Sequence, residues 1–202
     1  MKRKNVYLEL GVFSLKTIHK FYTSHKNEEW HFELFEPNPI SIPAILNQIK
    51  KLDIPNVKLH PVAASTKEGK RDFYLGNRSP VGSTLFKGKG RSEQVSHMQV
   101  DCIDFNKWIL DNLDKNDYIH MNMDIEGSEY EVLPHMIEGG SIYYINFMEV
   151  EFHSRKFKGE NRIKFDHIHK EFKPDLEKVN AEQLFWRYAD DTLHGYYKKE
   201  YV

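Results

Sequence analysis

The densest chemistry in the chain is Asp124-Ile125-Glu126-Gly127, two carboxylates two residues apart, followed by glycine. Carboxylates this close push one another's pKa upward, which leaves one of them as a proton acceptor near neutral pH. The same acids also suit a helix N-terminus, which favours negative charge, with Ser128 as its cap. Glu149, Glu151 and His153 alternate, so on a regular strand they face one side. Such a set serves as base, as holder of a hydroxyl or, with Asp124, as ligand to an ion; a strand running out into solvent has the same look. In Glu9-Leu10-Gly11 the glycine lets backbone approach a ligand with no Cβ in the way, or simply turns the chain. Glu36, before Pro37-Asn38-Pro39, either accepts hydrogen bonds from ribose hydroxyls or caps a helix beginning near Ser41. Gly82-Ser83-Thr84 is either a backbone cradle for an anion or a plain turn.

These residues fall at the ends of the segments that must position them. Val6 to Leu10 and Trp30 to Phe35 are apolar, β-prone runs; Thr17 to Tyr22 and Ile42 to Leu52 have helical spacing between and after them. Val57 to Ala64 is expected as a third strand, Tyr118 to Met123 as a fourth and Ile142 to Phe152 as a fifth. Helices are expected at Asp104 to Leu113, with Asp104 as cap, and at Ser128 to Ile137, stopped by Gly139-Gly140. Strands alternating with helices imply an α/β fold, a mostly parallel central sheet flanked by helices. Ligands then sit beyond the carboxyl ends of the strands, where the acids lie. Between Thr66 and Gly90 the pattern breaks into loop and a hairpin-like piece at Arg71 to Leu75, and Met98 to Ile103 is extended. After His153 it weakens, with helix expected at Ile163 to Phe172 and an extended end near Tyr188; the aromatic tail through Tyr201 fits core packing or stacking on a sugar. The expectation is one domain over 1–202, with a core at 5–153, an inserted region at 66–97 and a C-terminal elaboration at 154–202.

Composition narrows the function classes. The 29 Lys and Arg balance 30 Asp and Glu, a net charge of −1, which argues against a nucleic-acid partner held by excess positive charge. No apolar run approaches the roughly 20 residues of a membrane span, and the basic start is followed by a stretch that Glu9 interrupts, a poor secretory signal. The single cysteine, Cys102, forms no internal disulfide and no thiolate cage, so a reducing, cytoplasmic location is expected.

Taken in order, Tyr7-Leu8-Glu9-Leu10-Gly11, Phe35-Glu36-Pro37-Asn38-Pro39, Val62-Ala63-Ala64-Ser65, Gly82-Ser83-Thr84-Leu85, Val100-Asp101-Cys102-Ile103-Asp104 and Met123-Asp124-Ile125-Glu126-Gly127-Ser128-Glu129-Tyr130-Glu131-Val132-Leu133 resemble the FkbM-type methyltransferases. The compact chain also resembles the methyltransferase domain of a glycan-building protein from a large DNA virus. The resemblance runs from Val6 to His153. It implies a Rossmann-like class I methyltransferase fold, S-adenosylmethionine as cofactor, and O-methylation of a sugar hydroxyl of a glycan, a deoxysugar such as rhamnose included. It implies cofactor contacts from Glu9, Gly11, Phe13, Ser14, Glu36, Pro37, Ala64, Ser65, Ser83 and Asp124. Asp124 is then expected as general base with His153 as the alternate, and Glu126, Glu151 and His153 as holders of the carbohydrate acceptor. No metal site is assigned, although Asp124, Glu126, Glu151 and His153 are residue types that suit Mg²⁺ or Mn²⁺. Phe13 and Leu15 depart from the family, which usually has an Asn-like residue and a second glycine there. That departure motivates the alternatives: a binding module on the same fold without catalysis, or a nucleotide-sugar enzyme on a Rossmann-like sheet.

Overall fold

Pairing begins at β1 (Asn5–Leu10), whose alternating side chains serve two layers at once. The computed structural model describes residues 3–76, 82–89, 96–183 and 185–190, from 180 onward as backbone alone. β1 lies between β2 (Trp30–Phe35) and β7 (Tyr118–Met123), parallel to both. The sheet extends to β3 (Val57–His60) on one side and to β8 (Phe147–Phe152) and β9 (Phe185–Asp190) on the other. Its order is β3-β2-β1-β7-β8-β9, and all of these pairings are parallel.

The two faces bury different halves of the alternation. Tyr7, Phe32 and Leu34 pack with Ile18 of α1 (Lys16–Ser24) and Ile45 of α2 (Ile42–Leu52). Leu8, Leu10, Met121, Met123 and Met148 face the other way. They pack against α3 (Phe105–Asn112), α4 (Glu129–Gly139) and α5 (Gly159–Gln183) through residues such as Ile109, Leu133 and Phe165. Asp104 caps α3 by accepting from the Lys107 N–H, and Gly140, at φ +82°, ends α4. The chain is thus an α/β sandwich of the Rossmann-like kind, with the order reversing between β1 and β7.

Two strands are shorter than the sequence pattern suggests. The expected strand from Val57 to Ala64 is cut at Pro61, which has no N–H to give a ladder. Its second part, β4 (Ala63–Ser65), leaves the main sheet and joins a small one ordered β4-β6-β5, with β5 (Gly69–Tyr74) antiparallel to β6 (His97–Asp104). The expected strand from Ile142 to Phe152 begins only at Phe147; Ser141–Tyr144 is a 3-10 turn that follows Gly140 and buries Ile142. The weak pattern after His153 hides the 25-residue helix α5, whose buried residues Phe165, Phe172, Leu176 and Val179 recur along one stripe. Residues 77–81, part of the expected loop from Ser79 to Thr84, and Tyr196 to Tyr201 lie outside the described residues.

Candidate active site

Where the strand order reverses, the turns after β1 and β7 diverge and leave a crevice. Backbones meet closely at its floor. Gly11 has φ +88°, and a Cβ there would lie 1.8 Å from the Asp124 carbonyl oxygen, so only glycine fits. The Gly11 N–H donates to the Phe35 carbonyl and the Asp124 N–H to the Leu10 carbonyl, each at 2.9 Å, which ties the ends of β1, β2 and β7 together. Above them opens a cleft of about 700 Å³, counted to its mouth.

Of the residues singled out in the sequence, Gly11, Phe13, Glu36, Pro37, Ala64, Ser83, Asp124 and Glu126 line this cleft. Glu36 and Asp124 therefore share one hollow at one rim of the sheet. Phe35, Ala63, Phe73 and Leu85 supply apolar wall. Ser65 is buried and its hydroxyl accepts from Arg71 at 3.2 Å. Ser14 and Glu9 do not line the cleft; Glu9 lies behind it, on the β1 face it shares with Asn122 of β7. Leu15, where the family usually has glycine, is fully buried against Ile18 and Ile45, away from the cleft.

The acids have been driven apart in pKa. Burial pushes Glu36 up to about 7, although the backbone N–H groups of Asn38 and Val12 partly support its charge. Burial likewise pushes Glu9 up to about 7, against hydrogen bonds from Tyr7 and Asn122. Asp124 is raised to about 6, by burial first and then by Glu126 and Glu151, with His153 opposing. Glu126 moves the other way: burial resists, but His153 and then Lys89 hold it low. Glu151 is held at about 2 by His153 and Lys156.

His153 is the hub of this charge cluster. Its ring is wholly buried at the end of β8. Nδ1 lies 3.0 Å from Glu129 Oε1, and Nε2 faces Glu126 at 3.1 Å and Asp124 and Glu151 at 3.4 Å each. Burial would lower its pKa, but Glu129 first, then Glu151 and Glu126, raise it to about 10. Glu129, also wholly buried, accepts from the backbone N–H groups of Gly127 and His153 at 2.8 and 2.9 Å. It is a positioning residue that the sequence presents only as an acid in the first turn of a helix. Lys89 was equally hidden, a lysine between two glycines. It is buried, its charge disfavoured by that burial, and it pairs with Glu126 while donating to the Gly82 carbonyl at 3.0 Å. Glu126 itself sits at φ +54°, and the Thr84 hydroxyl grips its carbonyl at 2.6 Å.

Searches of curated proteins and of solved structures gave no match. The model of the methyltransferase FkbM domain matches residues 11–182, which take in the Gly11 turn, the ends of β2, β7 and β8 and the whole of α4, and the chain belongs to the FkbM methyltransferase family.

Proposed function

We propose that this methyltransferase uses S-adenosylmethionine and methylates a hydroxyl of a carbohydrate, as part of a glycan. The observation that carries the proposal is the single cleft lined by both Glu36 and Asp124. The donor set fits the cofactor. Glu36 offers a carboxylate to ribose hydroxyls, Gly11 leaves the room that a Cβ would fill, and Phe73, Ala64 and Leu85 offer apolar wall to a base. When bound, S-adenosylmethionine supplies an electrophilic methyl group on a sulfonium.

The chain's own residues have two tasks. One is alignment of the acceptor oxygen, which in a well-ordered site contributes on the order of several kcal/mol to lowering the barrier. The charged Glu126 and Glu151, both kept ionised by His153, hold neighbouring hydroxyls. The other task is taking the hydroxyl proton. Asp124 is suited to it: its side chain is 41% exposed and its pKa of about 6 leaves it ionised, yet basic, at neutral pH. His153 is less suited as the alternate acceptor, since it already carries its proton at neutral pH. Its charge keeps Glu126 and Glu151 ionised instead.

The test is methyl transfer from S-adenosylmethionine to a panel of glycans, read by mass spectrometry, with calorimetry of cofactor binding alongside. The expected result is a methylated glycan, with Asp124→Asn abolishing turnover while cofactor affinity stays within a few-fold. Full turnover by Asp124→Asn removes the base assignment. Absence of cofactor binding at millimolar concentration removes the proposal and favours a binding module.

A further inference from the structure

The geometry points to a divalent-cation site formed by Asp124, Glu126 and His153, with Glu151 beside it, at the inner wall of the cleft. The inference deepens the proposed function but rests on the cluster's own geometry, so each can fail without the other.

Spacing is the first support. One donor atom from each of Asp124, Glu126 and His153 lies within 4.8 Å of the others. A divalent ion with bonds of about 2.1–2.6 Å holds donors set at right angles about 3.0–3.7 Å apart. The distances from His153 Nε2 to Glu126, Asp124 and Glu151, at 3.1, 3.4 and 3.4 Å, fall in that window.

Unmet bonding is the second and independent support. Among the described residues, Nε2 of the wholly buried His153 has no partner in hydrogen-bonding geometry, although three carboxylates surround it, and neither has the buried Oδ1 of Asp124. The nitrogen stands at similar distances from all three carboxylates. Buried polar atoms left this way are costly unless something binds them.

The surroundings agree. Glu129 holds Nδ1 at 3.0 Å and is itself fixed by two backbone N–H groups, which leaves Nε2 as the free end of an oriented ring. A carboxylate on the far nitrogen is the usual way a metal-binding histidine is oriented. Four carboxylates (Asp124, Glu126, Glu129 and Glu151) meet two lysines, Lys89 and Lys156, and the His153 proton; a divalent ion that displaces that proton balances the two negative charges left. Oxygens with one imidazole favour Mn²⁺ over soft ions. The exposed part of Asp124 belongs to the side away from Oδ1, so it stays open to the cleft when Oδ1 binds the ion. An ion here acts as a Lewis acid on an acceptor hydroxyl.

The experiment is a Mn²⁺ titration of the chelator-stripped protein, followed by the loss of the free-ion electron paramagnetic resonance signal. One Mn²⁺ per chain is expected, with affinity reduced about 10- to 100-fold in Glu129→Gln and several-fold in Glu151→Gln, a partly exposed position tolerant of change. An undiminished free-ion signal at millimolar Mn²⁺ overturns the site, as does binding that both variants leave unaltered. Methyl transfer that persists in chelator, with no Mn²⁺ uptake, overturns the site and leaves the proposed reaction standing. Mn²⁺ uptake without any methyl transfer does the reverse.

Discussion

Ionised Glu9 works against the fold, and replacing it by Gln removes that opposition only where the carboxylate is charged. Its pKa rises from an ordinary 4.5 to about 7 because burial on β1 outweighs the hydrogen bonds from Tyr7 and, at 2.9 Å, from Asn122. The sign follows from proton counting. Between pH 4.5 and 7 the folded state holds a proton that the unfolded chain has lost, so this contribution to stability is full below 4.5 and disappears as pH rises through 7. The shift amounts to about 3 kcal/mol, of which about 2 to 3 kcal/mol falls between pH 5 and pH 8. Urea unfolding of the native protein and Glu9→Gln at both pH values measures it. Glu9→Gln should gain about 2 to 3 kcal/mol relative to the native protein on going from pH 5 to pH 8. Glu36 has a similar shift and remains in both proteins, so it cancels in the comparison. Stability profiles that run parallel from pH 5 to pH 8 would refute the reasoning.

Glu36→Gln should weaken S-adenosylmethionine binding about 10- to 100-fold, the range for losing hydrogen bonds to a charged group. With its pKa near 7, native affinity should also rise between pH 6 and pH 8 while the Gln variant stays flat, as read by calorimetry. Gly11→Ala must displace the Asp124 carbonyl and adopt a φ of +88°; it should lower the unfolding midpoint markedly and abolish cofactor binding, whereas an unchanged midpoint would mean the floor of the cleft yields. Lys89→Met should leave Glu126 less firmly ionised, raising the acceptor KM with little change in cofactor affinity.

The elements that sequence shows well are those whose burial follows one simple period. β2 and β7 match their expected limits because Ile119, Met121 and Met123 alternate with half-buried neighbours, as do Trp30, Phe32 and Leu34 until Phe35, which is buried as well. The run from Val57 to Ala64 looks continuous because both halves are apolar, and only Pro61 marks the transfer to a second sheet. The acids at the strand ends are visible because parallel sheets put ligands there. Glu129 and Lys89 were not, since their roles come from tertiary approach. A glutamate in a first helical turn becomes a histidine's anchor only when β8 delivers His153 beside it, and a lysine in a glycine-rich loop becomes buried only when that loop folds over Glu126. Ser65 is a strand-end hydroxyl that accepts from Arg71, a partner the sequence did not point to.

The Lys89–Glu126 contact joins the loop of the small sheet to the charged hub of the main one. The charged hub is rooted in β7, β8 and the start of α4, and the stretch from Gly82 to Lys89 that roofs it is tied to the small sheet by a bridge between Tyr74 and Thr84 and to the main hydrophobic core by Leu85, Phe86 and a bridge between Lys89 and Phe157. A different roof grafted between β5 and β6 must therefore keep two apolar anchors in the core, together with a threonine hydroxyl and a buried amine to pin the left-handed Glu126 in its pose.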